Sequence, residues 1–244
     1  MELSVIALAA LGLLLAGIVK GATGLGYSSC ALPFLVAAFG LKTAIVLVVV
    51  PAMASNLAVM WSAGHFRETA ERFSYFYIST VPGVCSGIFA LTYVEQRSAE
   101  ILLGLLIVSY SFYSAFRPPL FLAERFQQPL QIPAGFLNGF FTGLTGSQVL
   151  PLLPYMLSLK LDPDRFVQAV NLSVMLSAGI MVIMLLISGI MSGAGLGYSI
   201  LCIVPALLGI SIGTRVRRLI PSAHFRMVVL IMLALIGLFL VIGR

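Results

Sequence analysis

The stretch KGATGLGYSS at residues 20–29 interrupts an apolar N-terminal region, and GFFTGLTGSQ at residues 139–148 interrupts the second half in the same way. Proline follows each stretch, at Pro33 in the first half and at Pro151 and Pro154 in the second. Glycine permits backbone conformations that other residues avoid, and proline removes a helix hydrogen bond. We therefore predict a fold organised around two helix breaks at corresponding places.

The sequence around these breaks is typical of a membrane protein. Of its 244 residues, 60% are hydrophobic and 9% are charged, and the mean hydropathy is +1.10. A soluble domain carries about 25% charged residues. Only helices or closed barrels satisfy the backbone in lipid. The apolar runs show no alternating period, which predicts an all-α polytopic membrane protein. Runs without Asp, Glu, Lys or Arg cover residues 3–19, 21–41, 43–64, 73–94, 101–116, 126–159, 166–214 and 227–243.

Basic residues predict the orientation of the membrane segments, because Lys and Arg concentrate in cytoplasmic loops. With loop 215–226 in the cytoplasm, all but Lys42, Arg97 and Arg244 of the 14 Lys and Arg residues fall on that side. An eight-crossing alternative treats 3–40 and 130–160 as single crossings. It places loop 215–226 on the opposite side of the membrane from Arg67 and Arg72. We predict ten segments, at residues 3–19, 22–40, 43–63, 74–94, 100–117, 130–146, 147–160, 165–187, 197–214 and 226–243.

The two halves of the chain resemble each other, which predicts one transmembrane domain built from repeats at 1–120 and 128–244. Five segments per half is an odd number, so the second half is expected to be inverted, as in many secondary transporters. Segment 147–160 is short for a crossing, so 130–160 and its counterpart 3–40 are candidate re-entrant hairpins. The matches are Asn56–Met60 with Asn171–Met175, Val81-Pro82 with Val204-Pro205, Ser98-Ala99 with Ser222-Ala223, and Gly17 and Gly21 with Gly135 and Gly139.

The breaks are candidate anion sites. Helices that begin at Gly24–Ser28 and Gly146–Gln148 would present free N–H groups and a positive dipole end. Paired Gly/Pro interruptions in both halves indicate a transport site, although these glycines could instead serve only close helix packing. The candidate binding residues are Lys20, Gly21, Thr23, Gly24, Gly26, Ser28, Asn56, Gly143, Thr145, Gly146, Ser147, Gln148 and Asn171.

Lys20 is the strongest single candidate for an anion-binding residue. In a re-entrant hairpin it is a cation inside the membrane, where charges are costly and usually functional; between two full crossings it is an ordinary cytoplasmic loop lysine. Asn56 and Asn171 occupy repeat-related places and either line a polar cavity or join helices by hydrogen bonds. Asn138 is a weaker candidate, and Cys30 could face the same cavity.

Several function classes lack their residues. The eight acids and both histidines lie in loops or at segment ends, so no midplane proton relay is evident. Three cysteines without CxxC spacing support neither a metal site nor a disulfide framework. No P-loop, GxSxG or HExxH motif occurs. We expect no enzyme activity, cofactor, metal or nucleic-acid partner; the net charge of +6 is explained by short basic loops.

Each half has a glycine-rich turn before proline, at 21–26 before Pro33 and at 143–146 before Pro151 and Pro154. With these turns, the chain resembles the sulfite exporter TauE/SafE family of membrane permeases. The resemblance covers essentially the whole chain. It implies movement of sulfur-containing or organic anions, such as sulfite, sulfoacetate or other sulfonates, across the bacterial inner membrane. The family's first turn often has consecutive glycines, where this chain has Gly26-Tyr27-Ser28.

These observations predict a secondary transporter that binds a small anion at the paired breaks and exports it. The inside-negative membrane potential alone, worth about 2.3 kcal/mol per charge per 100 mV, would drive an anion out. The alternatives are a transporter of another small ion, such as a metal cation, or a non-transporting membrane assembly subunit. A homodimer is compatible with the sequence, which does not determine it.

Overall fold

The computed structural model describes residues 3–23, 26–116, 121–216 and 222–243, and within them every regular element is a helix. Outside this part lie the candidate binding residue Gly24 and four of the basic residues used to predict the orientation, Arg117, Arg217, Arg218 and Arg244. The side chains of the candidate Thr23 and of Arg226 are also outside it. The helices are α1 Leu3–Thr23, α2 Tyr27–Phe39, α3 Leu41–Ala63, α4 Phe66–Arg72, α5 Ser74–Tyr93, α6 Gln96–Phe116, α7 Glu124–Gln127, α8 Gln131–Thr145, α9 Leu152–Ser158, α10 Pro163–Ile187, α11 Gly193–Leu201, α12 Ile203–Val216 and α13 Ser222–Ile242.

Length and composition make this chain an all-α polytopic membrane protein, as predicted. Within the described residues, five stretches are long and apolar enough to cross a bilayer, and three shorter apolar helices accompany them at Ala9–Ala22, Tyr27–Phe39 and Val229–Ile242. The five stretches are Leu41–Trp61, Ser74–Tyr93, Gln96–Phe116, Pro163–Ile187 and Gly193–Arg215.

Three predicted segments differ from the helices found. Helix α1 continues past residue 19 to Thr23, so Lys20 lies in its last turn and not in a loop. The predicted segment 197–214 spans two helices, α11 and α12, that meet at Cys202. The predicted segment 147–160 holds only the seven-residue helix α9.

Helix lengths favour a re-entrant hairpin at 130–160. At 1.5 Å per residue, the 15 residues of α8 span about 22 Å and the seven of α9 about 10 Å. Both values are below the hydrocarbon thickness of about 30 Å. In the first half, the 13 residues of α2 span about 20 Å, whereas the 21 residues of α1 are long enough to cross.

Glycines bring the first helix of each half directly against a helix of the other half. On α1, Gly17 and Gly21 pack against the α12 backbone at Gly209 and Gly213. On α8, Gly139 and Gly143 pack in the same way against Gly83 and Gly87 of α5. A Cβ at any of these positions would collide with a backbone carbonyl oxygen of the facing helix. Small residues allow membrane helices to approach this closely.

The helix contacts support the proposal of two inverted repeats. The extensive pairings are α1 with α12, α5 with α8, α3 with α10 and α6 with α13, and exchanging the halves converts this set into itself. Helices α6 and α13 are antiparallel, because the Arg97 guanidinium near the start of α6 donates to the carbonyls of Leu240 and Val241 near the end of α13, at 2.8 and 2.9 Å. We propose that residues 1–120 and 128–244 are repeats of opposite orientation.

Helix α9 is held by aromatic packing and by hydrogen bonds. The Tyr155 ring stacks on Phe76 of α5 with centroids 5.6 Å apart, and its hydroxyl donates to the Gln127 carbonyl at 2.8 Å. The Leu122 N–H donates to the carbonyl of Ser158 at 3.2 Å. These contacts fix the loop that joins α8 to α9, which carries Ser147 and Gln148.

An exposed ion cluster joins the two halves at the start of α10. Arg165 Nε donates to Glu68 Oε1 of α4 at 2.7 Å, and a second guanidinium nitrogen bonds Asp162. His65 Nδ1 lies 3.4 Å from Glu68 Oε2. The contact places the loops around Glu68 and Asp162 on one face, in agreement with the predicted charge distribution. The hydrogen bond that Glu68 accepts from Arg165 lowers the pKa of the Glu68 carboxyl group.

We expect Gly87→Ala to destabilise the protein, because the added methyl would collide with the carbonyl oxygen of Phe140 in α8. Overpacking of this kind costs about 1–3 kcal/mol. The matched control is Gly179→Ala in α10, where a Cβ meets no atom within 4 Å and alanine gains up to about 1 kcal/mol of helix propensity. Thermal unfolding in detergent measures both; equal midpoints would contradict the packing argument.

We also expect the Arg165–Glu68 pair to stabilise the protein in a pH-dependent way. Because the folded-state pKa of Glu68 is lowered, the contribution is fully present above the ordinary glutamate pKa and is lost as the pH falls through the lowered value. The difference in unfolding temperature between wild type and Glu68→Gln, measured from neutral to acidic pH, should shrink on acidification. The Glu95→Gln variant controls for general acid effects, because Glu95 is exposed and forms no ion pair among the described residues. A difference that grows in acid would contradict this assignment.

Candidate anion site at the first helix break

Lys20 is buried and hydrogen-bonded inside the helix bundle. Its side chain is 3% exposed, and its Nζ donates to Asn56 Oδ1 of α3 at 2.6 Å. The Asn56 amide nitrogen donates in turn to the Ala52 carbonyl at 2.6 Å, which orients Oδ1 towards Lys20. Within the described part of the chain, no carboxylate forms a salt bridge with Lys20. The structure thus joins two residues that the sequence singled out separately.

Lys20 and Asn56 line a small cavity of about 30 Å³, which we call the Lys20 cavity. It lies where the α1–α2 break, α3, the α8–α9 loop and α10 meet. Its polar lining comes from both halves, and its remaining wall is apolar. The lining consists of Lys20, Gly26, Tyr27, Ser28, Ser29, Asn56 and Gln148, with Val149, Leu153, Val170 and Val174.

The start of α2 faces this cavity, as predicted for the first break. Gly26 adopts a left-handed conformation (φ 85°) and precedes the helix, which begins at Tyr27. The first hydrogen bond into the helix runs from the Cys30 N–H to the Gly26 carbonyl at 3.0 Å, and no side chain caps this end. The N–H groups of residues 27–29 precede that bond and have no acceptor in their own helix. They supply donors and the positive dipole end beside Lys20.

The second break has a different local structure, so the predicted helix start at Gly146–Gln148 is wrong. Gly146 (φ 75°) ends α8, and its N–H donates to the Thr142 carbonyl at 2.7 Å. Helix α9 begins only at Leu152, after Pro151. The physical reason is that the left-handed conformation of Gly146 ends the helix, and the next helix starts where α9 packs on α5.

The loop between α8 and α9 nevertheless contributes to the cavity through Gln148. This side chain is 8% exposed, and its Oε1 has no hydrogen-bond partner among the described residues. Two neighbouring candidates form local hydrogen bonds. The Ser147 N–H donates to Thr145 Oγ1 at 3.2 Å, and the Thr145 hydroxyl donates to the Phe141 carbonyl of α8 at 2.7 Å.

A second and smaller cavity, of about 10 Å³, adjoins the Lys20 cavity and shares Ser28 and Gln148 with it. Apart from these two side chains its walls are nonpolar, so we call it the apolar cavity. It lies between α3 and α10, nearer the start of α3 and the end of α10 than the Lys20 cavity. Its other lining residues are Leu32, Ile45, Val48, Val49, Ala52, Gly146, Ala178 and Met181.

The candidate glycines divide into two groups. Gly26 and Gly146 have positive φ and line the cavities. Gly21 and Gly143 pack against the backbones of α12 and α5 and line neither cavity. The packing alternative considered for these glycines therefore describes the second group.

The remaining amide and thiol candidates line neither cavity. Asn171 is fully buried in α10, where its amide nitrogen donates to the Val167 carbonyl at 2.8 Å and its Oδ1 has no partner among the described residues. Asn138 Nδ2 lies 3.5 Å from Ser173 Oγ of α10, a weak interhelical contact. Cys30 is 1% exposed and belongs to the apolar core.

Sequence reasoning missed Tyr27 and Ser29, which also line the Lys20 cavity. The Tyr27 side chain is 2% exposed, and its hydroxyl has no partner among the described residues. The sequence could have indicated both residues, because Tyr27 and Ser29 share the first turn of α2 with the candidate Ser28. Among the residues that the structure describes, no group of three or more His, Cys, Asp or Glu could hold a metal ion.

A multi-pass helical membrane protein with broken helices around a small buried polar cavity is characteristic of membrane transporters. Comparison with protein families gives the particular family. The model of the sulfite exporter TauE/SafE family matches residues 8–240, nearly the whole chain, and the chain belongs to this family of permeases. No curated protein and no solved structure matches the chain.

We expect Ser28→Cys to react with a water-soluble methanethiosulfonate reagent, whereas the native Cys30 should not. Residue 28 lines both cavities and Cys30 lies in the core. Both proteins carry Cys85→Ser and Cys202→Ser, and labelling in proteoliposomes is followed by mass spectrometry. The labelling rates should differ at least tenfold, since reaction requires an accessible thiolate. Equal rates would contradict the placement of Ser28 on the cavities and of Cys30 in the core.

Proposed function

We propose that this permease carries small sulfur-containing or organic anions, such as sulfite or sulfonates, and binds them at the first helix break. The single observation behind this proposal is the buried ammonium of Lys20 without a carboxylate partner in the described chain. Removing an ion from water costs several kcal/mol unless a partner compensates it. A bound anion would supply that compensation.

The other groups of the site support an oxyanion. The N–H groups at the start of α2 lie on the same cavity as Lys20, and Ser28 and Ser29 add hydroxyls. Backbone N–H groups at a helix N-terminus bind anions with their hydrogen atoms and with the helix dipole. Asn56 holds the ammonium in place through its 2.6 Å hydrogen bond. The second half contributes Gln148, so the proposed site depends on both halves.

The alternative cargo, a metal cation, is disfavoured by the same observation. A cation in this cavity would lie beside a buried ammonium without any carboxylate among the residues that line it. The assembly-subunit alternative predicts no flux, which makes it directly distinguishable by experiment.

We propose export across the bacterial inner membrane as the direction. A membrane potential negative inside favours the exit of an anion by about 2.3 kcal/mol per charge per 100 mV, so no coupling ion is required. Rocking of the two halves around the site would give alternating access. In this mechanism the anion pairs with Lys20 while Ser28 and Gln148, which border both cavities, separate the two sides of the path.

The test is anion flux from proteoliposomes that contain the purified protein, loaded with sulfite or a sulfonate, under an imposed potential. We expect potential-dependent efflux by the wild type and a loss of at least tenfold in Lys20→Ala. Lys42→Ala is the matched control, because Lys42 lies in the first turn of α3, away from the cavities. Gly146→Leu should also transport poorly, since its backbone has φ 75° and a Cβ would crowd Ile45.

If the wild type transports anions and Lys20→Ala transports them equally well, the proposed site is refuted while the proposed permease function stands. No flux of any anion under potential, pH or sodium gradients, with folded protein, would favour the assembly subunit. Thermal unfolding of each variant separates loss of transport from loss of structure.

A further inference from the structure

The described lining of the cavities offers a ligand one basic side chain. Of the described residues that line the Lys20 cavity, Lys20 alone is basic, and none of those described along the apolar cavity is charged. The described arginines that form ion pairs, Arg67 and Arg165, are engaged with carboxylates around α4. The start of α2 adds a partial charge of about half a unit. One negative charge on the ligand is therefore compensated, and a second would be buried without a cation.

The cavity also offers an acceptor. Gln148 is buried to more than nine-tenths and lines both cavities, and its Oε1 has no partner among the described residues. The other carboxamide oxygen on the cavity, Asn56 Oδ1, is already occupied by Lys20. A buried acceptor left without a donor is costly. A ligand with oxygen acceptors only would satisfy Lys20 and the α2 N–H groups but would leave Gln148 unpaired.

We infer that the substrate is bound as a monoanion that keeps one O–H group, with hydrogen sulfite as the simplest sulfur example. The negatively charged oxygens lie towards Lys20 and the start of α2, and the substrate hydroxyl donates to Gln148 Oε1. This inference rests on the proposed function and narrows its substrate class. Gln148 is thereby a specificity-determining residue supplied by the second half.

Two discriminations follow from this arrangement. A dianion such as sulfate brings a second charge that no cation in the cavity matches, so it should be excluded. Methanesulfonate has the charge of hydrogen sulfite and nearly its shape, but a methyl group replaces the hydroxyl. It leaves Gln148 without a donor, so it should be transported more slowly.

The experiment compares initial efflux of three anions from proteoliposomes at one pH and one imposed potential. The probes are sulfite at a pH where hydrogen sulfite predominates, methanesulfonate and sulfate. For wild type we expect hydrogen sulfite to exceed methanesulfonate about tenfold, as one hydrogen bond to a buried group permits, and sulfate flux to be at background.

The variant Gln148→Leu should reduce the preference for hydrogen sulfite over methanesulfonate to about unity, and Gln148→Met provides a second apolar replacement if the first does not fold. Gln128→Leu makes the same chemical change at an exposed position and should keep the wild-type ratio. A ratio is insensitive to the amount of active protein, so partial misfolding does not imitate the effect.

Sulfate flux equal to that of hydrogen sulfite, or an unchanged ratio in Gln148→Leu, would overturn the inference and leave the anion permease intact. Absence of flux for all three anions would refute the proposed function itself. The two failures are thus separable in one set of measurements.

Discussion

The direct contact between glycine-bearing helix backbones is the constraint on which this structure depends. Lipid provides no hydrogen bonds to an interrupted helix, so each break must be enclosed by protein. The α1–α12 and α5–α8 contacts achieve this by fixing the first helix of each half against the other half, with Gly21 and Gly143 one turn from the breaks. Close packing sets where α1 and α8 end, and their ends determine where Lys20 and Gln148 lie. The polar cavity is therefore a product of apolar packing.

The two halves contribute different chemical groups to the proposed site. The first half supplies the cation, the helix start and Asn56, whereas the second supplies an irregular loop with one carboxamide. Asn171 matches Asn56 in sequence but hydrogen-bonds its own helix and borders neither cavity. The proposed repeats share helix order and packing, while a few side chains around the cavity are enough to give the two halves different chemical roles. Among the described residues that line the two cavities, Lys20 is the only basic side chain.

Much of this arrangement could be predicted from sequence, because its signals are local. Charge-free runs predict the membrane helices, and Gly26 with the following Tyr27-Ser28-Ser29 predicts the start of α2. What could not be predicted depends on distant residues. Gly21 and Gly26 look equivalent in sequence, and only the position of α12 makes the first a packing residue. The start of α9 depends on the stacking of Tyr155 on Phe76, 79 positions away in the numbering of the chain. The partnership of Lys20 with Asn56 requires the fold of α3 against α1.

The apolar cavity between α3 and α10 has a consequence for the passage of protons. Its volume of about 10 Å³ is scarcely that of one water molecule, and its described lining is nonpolar except at Ser28 and Gln148. Protons cross membranes along continuous chains of hydrogen-bonded water, and a hydrophobic constriction closes a path by excluding water. In the conformation described here, the apolar cavity therefore interrupts a chain of water that would extend into it from the Lys20 cavity.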